Sequence, residues 1–145
     1  MEYYSKENFD VTETIGFRVT KARNVIACDM EVALKGLDIT PPQMSILLVL
    51  ARGEIDSPVE IARYLAIDSG FMTRAIDKLE RAGMLVRSRN EQDRRVINLH
   101  LTQKGEQLAS SVVERVPDVL NERLRRFTPE EFDTLRRLLE KFANG

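Results

Sequence analysis

Arg74, Lys78 and Arg81 recur at intervals of about one helical turn, and Arg87, Arg89, Arg94 and Arg95 follow closely. Beside the first group stand two hydroxyls, Ser69 and Thr73, and a glycine at 70. This set suits the recognition of phosphates and base edges. A guanidinium fork matches guanine O6 and N7, a hydroxyl bonds a phosphate or a base edge, and glycine lets a backbone come close. Arg74 is the candidate for reading guanine, with contact to phosphate alone as the alternative. No P-loop, G-x-S-x-G, H-E-x-x-H or dinucleotide-binding glycine pattern is present. The reading is therefore not an enzyme, with no cofactor. Glu130-Glu131 is explained by helix capping. His100 is the only histidine and has no Cys or His companion, so no metal site is expected. It reads as a wing or phosphate contact, or as merely exposed.

The elements that must hold these side chains can be read around them. Asp68 or Ser69 can cap a helix whose Met72, Ile76 and Leu79 share one face, with Ala75 and Ala82 beside them. Arg74, Lys78 and Arg81 then fall on other faces, and Gly83 is a stop signal. Leu85–Arg89 reads as a strand, and Asn90 to Arg95 is a polar run. In Val96–Thr102, Ile97, Leu99 and Leu101 alternate with Val96, Asn98, His100 and Thr102. A helix followed by an arginine-tipped hairpin is the layout of a winged helix-turn-helix, the helix suited to a major groove and the loop to a minor groove. The candidate DNA-binding residues are Ser69, Gly70, Phe71, Thr73, Arg74, Lys78, Arg87, Arg89, Asp93, Arg94 and Arg95. Phe71 could face the groove or the core. Asp93, so near DNA, needs a cationic partner and is expected in an ion pair.

Taken alone, a net charge of −1 over 145 residues argues against a nucleic-acid partner. Its distribution argues the other way. Ser69 to Lys104 carries eight basic residues (Arg74, Lys78, Arg81, Arg87, Arg89, Arg94, Arg95, Lys104) against four acids (Asp77, Glu80, Glu91, Asp93), on an otherwise acidic chain. Length and 43% apolar content suit one domain with a real core. One cysteine excludes an internal disulfide, and neither a spanning apolar run nor a leader is seen, so a cytoplasmic, nucleoid-associated protein with no membrane partner is expected.

In chain order, Met1–Glu7 is expected to fray, and a long helix from about Phe9 to Lys35 to follow, ended by Gly36. Ile15, Val19, Ala22, Ile26, Met30 and Ala33 form one stripe on it, and Val25, Cys28 and Val32 a second, implying burial in a core and in an interface. Thr40-Pro41-Pro42-Gln43, Ser57-Pro58-Val59-Glu60 and Thr128-Pro129-Glu130-Glu131 each read as a helix start. They open helices at Pro41–Arg52 (core candidates Met44, Leu47, Leu48 and Ala51), Pro58–Leu65 and Pro129–Phe142. Thr102 can cap a helix toward Phe127, with a kink or break expected at Pro117. No His or Arg stands one turn from Cys28, which favours a buried, inert thiol over an oxidant sensor.

Asp93-Arg94-Arg95, Leu99-His100-Leu101-Thr102 and Gly105 together form a D-x-R…L-x-L-T-x-x-G pattern, and Thr73-Arg74, Asp77, Leu79-Glu80, Gly83 and Arg87 precede it. In these residues, and in its order of helices, the chain resembles the MarR family of bacterial regulators. The resemblance implies that Arg95 enters a minor groove while Asp93 orients the wing. Together the readings give a mainly α fold with a small β-hairpin wing: a single domain at 1–145, with dimerisation helices at about 9–36 and 103–145 and a DNA-binding lobe at about 40–102. A homodimer repressing at a palindromic operator is expected. The resemblance also implies a small-molecule effector, phenolic or an aromatic carboxylate, with pocket candidates Phe9, Phe17, Arg18, Met44 and Leu48. The alternatives are a thiol-based oxidant sensor acting through Cys28, or a winged helix used to bind protein.

Overall fold

The structure is a computed structural model and describes residues 2–145; Met1, the first of the residues expected to fray, lies outside them. The rest of that opening stretch is tied down at one point, where the Ile15 amide donates to the Tyr4 hydroxyl at 3.0 Å. A short 3-10 turn, Val11–Glu13, comes before α1 (Ile15–Ala33). The helix starts at Ile15, where its apolar stripe begins, six residues later than the expected start at about Phe9. Asp10 caps the 3-10 turn, and Thr14, in an extended conformation, accepts from Phe17 N, so two successive caps fix the start.

α2 (Pro41–Arg52), α3 (Pro58–Tyr64) and α4 (Ser69–Arg81) follow, then the hairpin of β1 (Leu85–Arg89) and β2 (Ile97–Leu101), then α5 (Gln103–Leu124) and α6 (Pro129–Asn144). Of the three similar helix starts, the side chains of Gln43 and Glu131 return to the Thr40 and Thr128 amides, both at 2.9 Å. Ser57 holds the cap position of α3 without a side-chain bond. α3 ends in a pair of bonds, Ile67 N to Ala62 O and Ala66 N to Arg63 O, that place Ala66 in the left-handed region (φ 51°). This turn joins the two helices of the helix-turn-helix.

Ile46, Leu47, Leu50, Ile61, Met72, Ile76, Leu79, Leu85 and Leu99 make the main core, which joins α2, α3, α4 and the hairpin. A second cluster, Met30, Leu34, Val112 and Val116, packs α1 against α5. α2 lies between the two. Its Met44 and Leu48 are only half buried and face the second cluster, while Ala51, expected in the core, is exposed. β1 and β2 are antiparallel with Leu85 opposite Leu101 and Arg89 opposite Ile97. The α2–α3 loop closes onto β2, where Leu99 N donates to Asp56 O (2.8 Å) and Asn98 Nδ2 to Asp56 Oδ2 (3.0 Å).

α5 runs unbroken through Pro117. Proline removes the donor that would reach the Val113 carbonyl, but Val113 is exposed, so water can satisfy that oxygen. Val112 and Val116, both buried, hold the helix on either side. α6 has no buried residue: Phe132, Leu135, Leu138, Leu139 and Phe142 all remain exposed on this amphipathic helix. No helix among the described residues is long and apolar enough to cross a membrane.

Candidate nucleic-acid interface

α4 is held by its apolar side. Met72, Ala75, Ile76 and Leu79 are buried, which leaves Ser69, Gly70, Phe71, Thr73, Arg74 and Lys78 together on exposed surface. Phe71 therefore does not belong to the core. Asp68 rather than Ser69 is the cap, accepting from Phe71 N at 2.9 Å, and Thr73 Oγ1 donates to Ser69 O at 2.9 Å. A Cβ on residue 70 would lie 3.2 Å from Asp68 Oδ2 and 3.6 Å from Arg74 Nη1. The contact with Arg74 would be an ordinary one, so the bare glycine mainly spares the capping carboxylate of Asp68.

The hairpin tip is folded by its own side chains. Asn90 Oδ1 accepts from the amides of Gln92 (2.9 Å) and Asp93 (3.1 Å), and Asn90 N donates to Val96 O. Asp93 then grips Arg95: Oδ1 accepts from Arg95 N and Nε, both at 3.0 Å, and Oδ2 from Nη2 at 3.1 Å. These side-chain bonds, with the backbone amide, hold the Asp93 carboxyl below its usual range. The Arg95 side chain is 90% exposed, so it projects from the wing in a fixed direction. Arg89 and Arg94 are exposed near the same tip, with no ion-pair partner among the described residues.

Arg87 lies apart from this surface. Its Nη2 donates to Asp77 Oδ1 at 2.5 Å, its Nη1 donates to Glu80, and its amide reaches the same Glu80 carboxylate at 3.3 Å. Partial burial works against its charge, but the two carboxylates outweigh this and keep the guanidinium above its ordinary range. Arg87 therefore ties β1 to α4. The Ser88 hydroxyl and His100 Nε2 are 2.8 Å apart on the outer face of the hairpin.

A cleft of about 1330 Å³ opens behind α4, between α1, α2 and α5. Met44 and Leu48 line it, together with Arg23, Met30 and Lys78. Phe9, Phe17 and Arg18 do not. They stand exposed on the N-terminal side of α1, where Arg18 pairs with Glu13 at 2.5 Å, because α1 packs on the body only around Met30 and Leu34. Cys28 is also exposed rather than buried. The face of α1 that carries it turns away from the Met30–Leu34 contact. Asp29 beside it holds Arg123 of α5 through three bonds of 2.7–2.9 Å.

The sequence profile of the MarR family matches residues 37–96, the span that holds the helix-turn-helix and most of the wing. The multiple antibiotic resistance protein MarR of Escherichia coli K12 is 32% identical over 109 residues, which span 74% of this chain and 76% of that protein. The chain belongs to the MarR family. As a MarR-family protein it is a DNA-binding transcriptional regulator and not an enzyme. PecS, an HTH-type transcriptional regulator of Dickeya dadantii, is 44% identical over 85 residues, 57% of this chain and 50% of its own. The crystal structure of an Escherichia coli MarR mutant complexed with operator DNA superposes on this MarR-family fold with a TM-score of 0.83 at 27% identity, covering 92% of this chain and 99% of the other. The transcriptional repressor CouR bound to a 23-mer duplex does so with a TM-score of 0.81 at 28% identity, covering 97% and 99%.

Proposed function

We propose that this regulator acts as a homodimeric repressor on a palindromic operator and is released by a small aromatic acid. The observation that carries the reading is the shared exposure of the Ser69–Lys78 face of α4 and the arginine-tipped wing. α4 enters a major groove, with Arg74 reading a base edge or phosphate and Lys78, Ser69 and Thr73 on the backbone. Arg95, aimed by Asp93, enters the flanking minor groove, with Arg89 and Arg94 on phosphates. MarR and CouR were both crystallised with DNA, which supports this docking.

A single winged helix covers little DNA, so specific binding calls for two. Helices 9–36 and 103–145 supply the dimer, and residues 40–102 the DNA lobe. The uncovered faces of α6 and of the first turns of α1 support this division. For an effector, the apolar surface of Met30, Met44 and Leu48 favours a small aromatic ligand, with Arg23 and Lys35 in the same cleft to meet a carboxylate beside the acidic Glu31 and Asp38. The effector works by preferring one spacing of the two α4 helices. The protein then works in the cytoplasm, on the nucleoid when bound.

The test is DNA binding by the purified protein at two salt concentrations, with the duplex upstream of its own gene and a scrambled duplex. Preference for the first duplex, with one dimer per site and steep weakening by salt, supports the reading. Equal binding to both duplexes followed by failure of random-sequence selection to enrich any site would overturn it in favour of a protein-binding winged helix.

A further inference from the structure

Three consecutive carbonyls leave the C-terminal end of α4, at Ala82, Gly83 and Met84, and the first turn of α5 takes all three. Lys104 Nζ donates to Ala82 O at 2.9 Å, Thr102 Oγ1 to Gly83 O at 2.6 Å and Thr102 N to Met84 O at 3.0 Å. Thr102 Oγ1 also accepts from Gly105 N at 3.1 Å, so the residue that caps α5 is the one that holds α4. The approach is too close for any side chain at 105, where a Cβ would stand 1.9 Å from Met84 O. α5 leads from this junction to Val112 and Val116, packed on α1.

We propose that Thr102, Lys104 and Gly105 form a clamp through which α5 sets the pitch of α4, and that Lys104 is a positioning residue for DNA recognition. The proposal rests on the reading of α4 as the recognition helix. A helix end has unpaired carbonyls and a partial negative charge, and the Lys104 ammonium meets both. The ammonium sits at the opposite end of α4 from Ser69 and Gly70, about 20 Å away at 1.5 Å per residue over the 13 residues of the helix. Lys104 thus belongs to the basic segment by sequence but spends its charge on the protein. Motion of α5 passes to α4 through one backbone hydrogen bond, two side-chain hydrogen bonds from Thr102 and Lys104, and the close backbone contact at Gly105. A few degrees of tilt at the clamp displace the Arg74 guanidinium relative to a base edge, whereas phosphate contacts tolerate such a shift.

The experiment uses the full chain with Lys104→Met and Lys104→Arg, and two duplexes: one enriched by the wild type from random sequence, and a scrambled one. Lys104→Met is expected to lose roughly fivefold in affinity for the enriched duplex and little for the scrambled one, with Lys104→Arg restoring the preference. The salt slope stays unchanged, because no phosphate contact is removed. Equal loss on both duplexes with the slope reduced by about one would make Lys104 a phosphate contact and overturn the proposal. A lower melting temperature with both affinities intact would make the clamp structural only and overturn it too. Wild type that enriches no duplex would overturn the recognition-helix reading itself, and the clamp with it. Gly105→Ala, checked for retained helicity, is the stronger variant and is expected to lower the same preference further.

Discussion

Arg95 and Arg87 are both arginines beside carboxylates, yet their surroundings give them opposite work. Arg95 is held by one aspartate and projects into solvent, while Arg87 is shared between Asp77 and Glu80 under the hairpin. Arg95→Ala is expected to weaken binding to every duplex and to reduce the slope of log affinity against log salt by about one, as measured by fluorescence anisotropy. The pH dependence of this arm follows from Asp93, whose pKa is lowered in the folded state. A depressed carboxylate pKa means the hold is fully present above the unfolded value and is lost as pH falls through the folded one. The Asp93–Arg95 grip is thus expected to stay constant through neutral pH and to open only below the ordinary carboxylate range. The Arg95 Nε–H resonance, followed by NMR, reports it; opening near pH 6 would exclude Asp93 as the anchor. Arg87→Ala leaves two partly exposed carboxylates without their cation, a loss of about 1 kcal/mol after solvent screening. Adding Asp77→Asn and Glu80→Gln is expected to return most of it in a thermal-melt cycle. An additive result would mean that Arg87 is not energetically coupled to Asp77 and Glu80.

Ala66 marks the turn between the two helices of the helix-turn-helix, and it takes a left-handed conformation that alanine adopts at a cost. Gly83 ends α4 with the same pair of bonds, Met84 N to Leu79 O and Gly83 N to Glu80 O, and pays no such penalty. Ala66→Gly is therefore expected to raise stability by about 0.5–1 kcal/mol in denaturant unfolding, without changing DNA preference. A drop in stability would show that the Ala66 methyl contributes packing that outweighs the strain. The pair also shows what was legible beforehand. Gly83, the Thr-Pro helix starts and the alternation of β2 are local signals, and the elements they predict stand where expected. The α3 turn shows in the sequence only as the gap between the helix ending at Leu65 and the cap at Asp68 or Ser69, because nothing in the residue type of Ala66 announces a positive φ. The start of α1, expected at about Phe9, falls at Ile15 because Asp10 and Thr14 cap two successive turns, and the expected range took no account of either cap. Continuity through Pro117 depended on Val112 and Val116 meeting α1, a contact no window of sequence contains. On the candidate surface the outer face of α4 could be read from the burial of Met72, Ile76 and Leu79. The capture of Arg87 by Asp77 and Glu80 needed β1 folded back beside α4, and the separation of Phe9, Phe17 and Arg18 from the cleft needed the direction of α1.

The exposed apolar side chains of the whole chain are unevenly placed, and that unevenness decides what the molecule must do next. The DNA lobe has a fully buried core beside its exposed Val59, Tyr64, Phe71 and Ile97, but α6 buries nothing and leaves Phe132, Leu135, Leu138, Leu139 and Phe142 between 38% and 59% exposed. Covering such residues contributes on the order of 25 cal/mol per Å² of apolar surface, so a face of five is worth several kcal/mol once paired. The capping box at Thr128–Glu131 fixes the start of α6, so the stripe is presented in one register rather than as a frayed tail. In the proposed homodimer a second copy of the chain offers the same stripe, and two-fold pairing would make the surface self-complementary. Leu135→Glu with Leu139→Glu places two charges in that face without touching either core cluster. The double variant is expected to keep its helical circular dichroism and to run at 16.6 kDa instead of twice that by light scattering. Its affinity for a duplex with two half-sites should fall on the order of a hundredfold, since linking two sites multiplies affinity by 10² or more. Affinity for a single half-site should barely change, because α4 and the wing stay intact. A variant that remained a dimer would move the interface elsewhere, to the exposed first turns of α1. A monomer that lost half-site affinity as well would mean that α6 supports the lobe itself, and that the two ends of the molecule are not the separable parts their burial suggests.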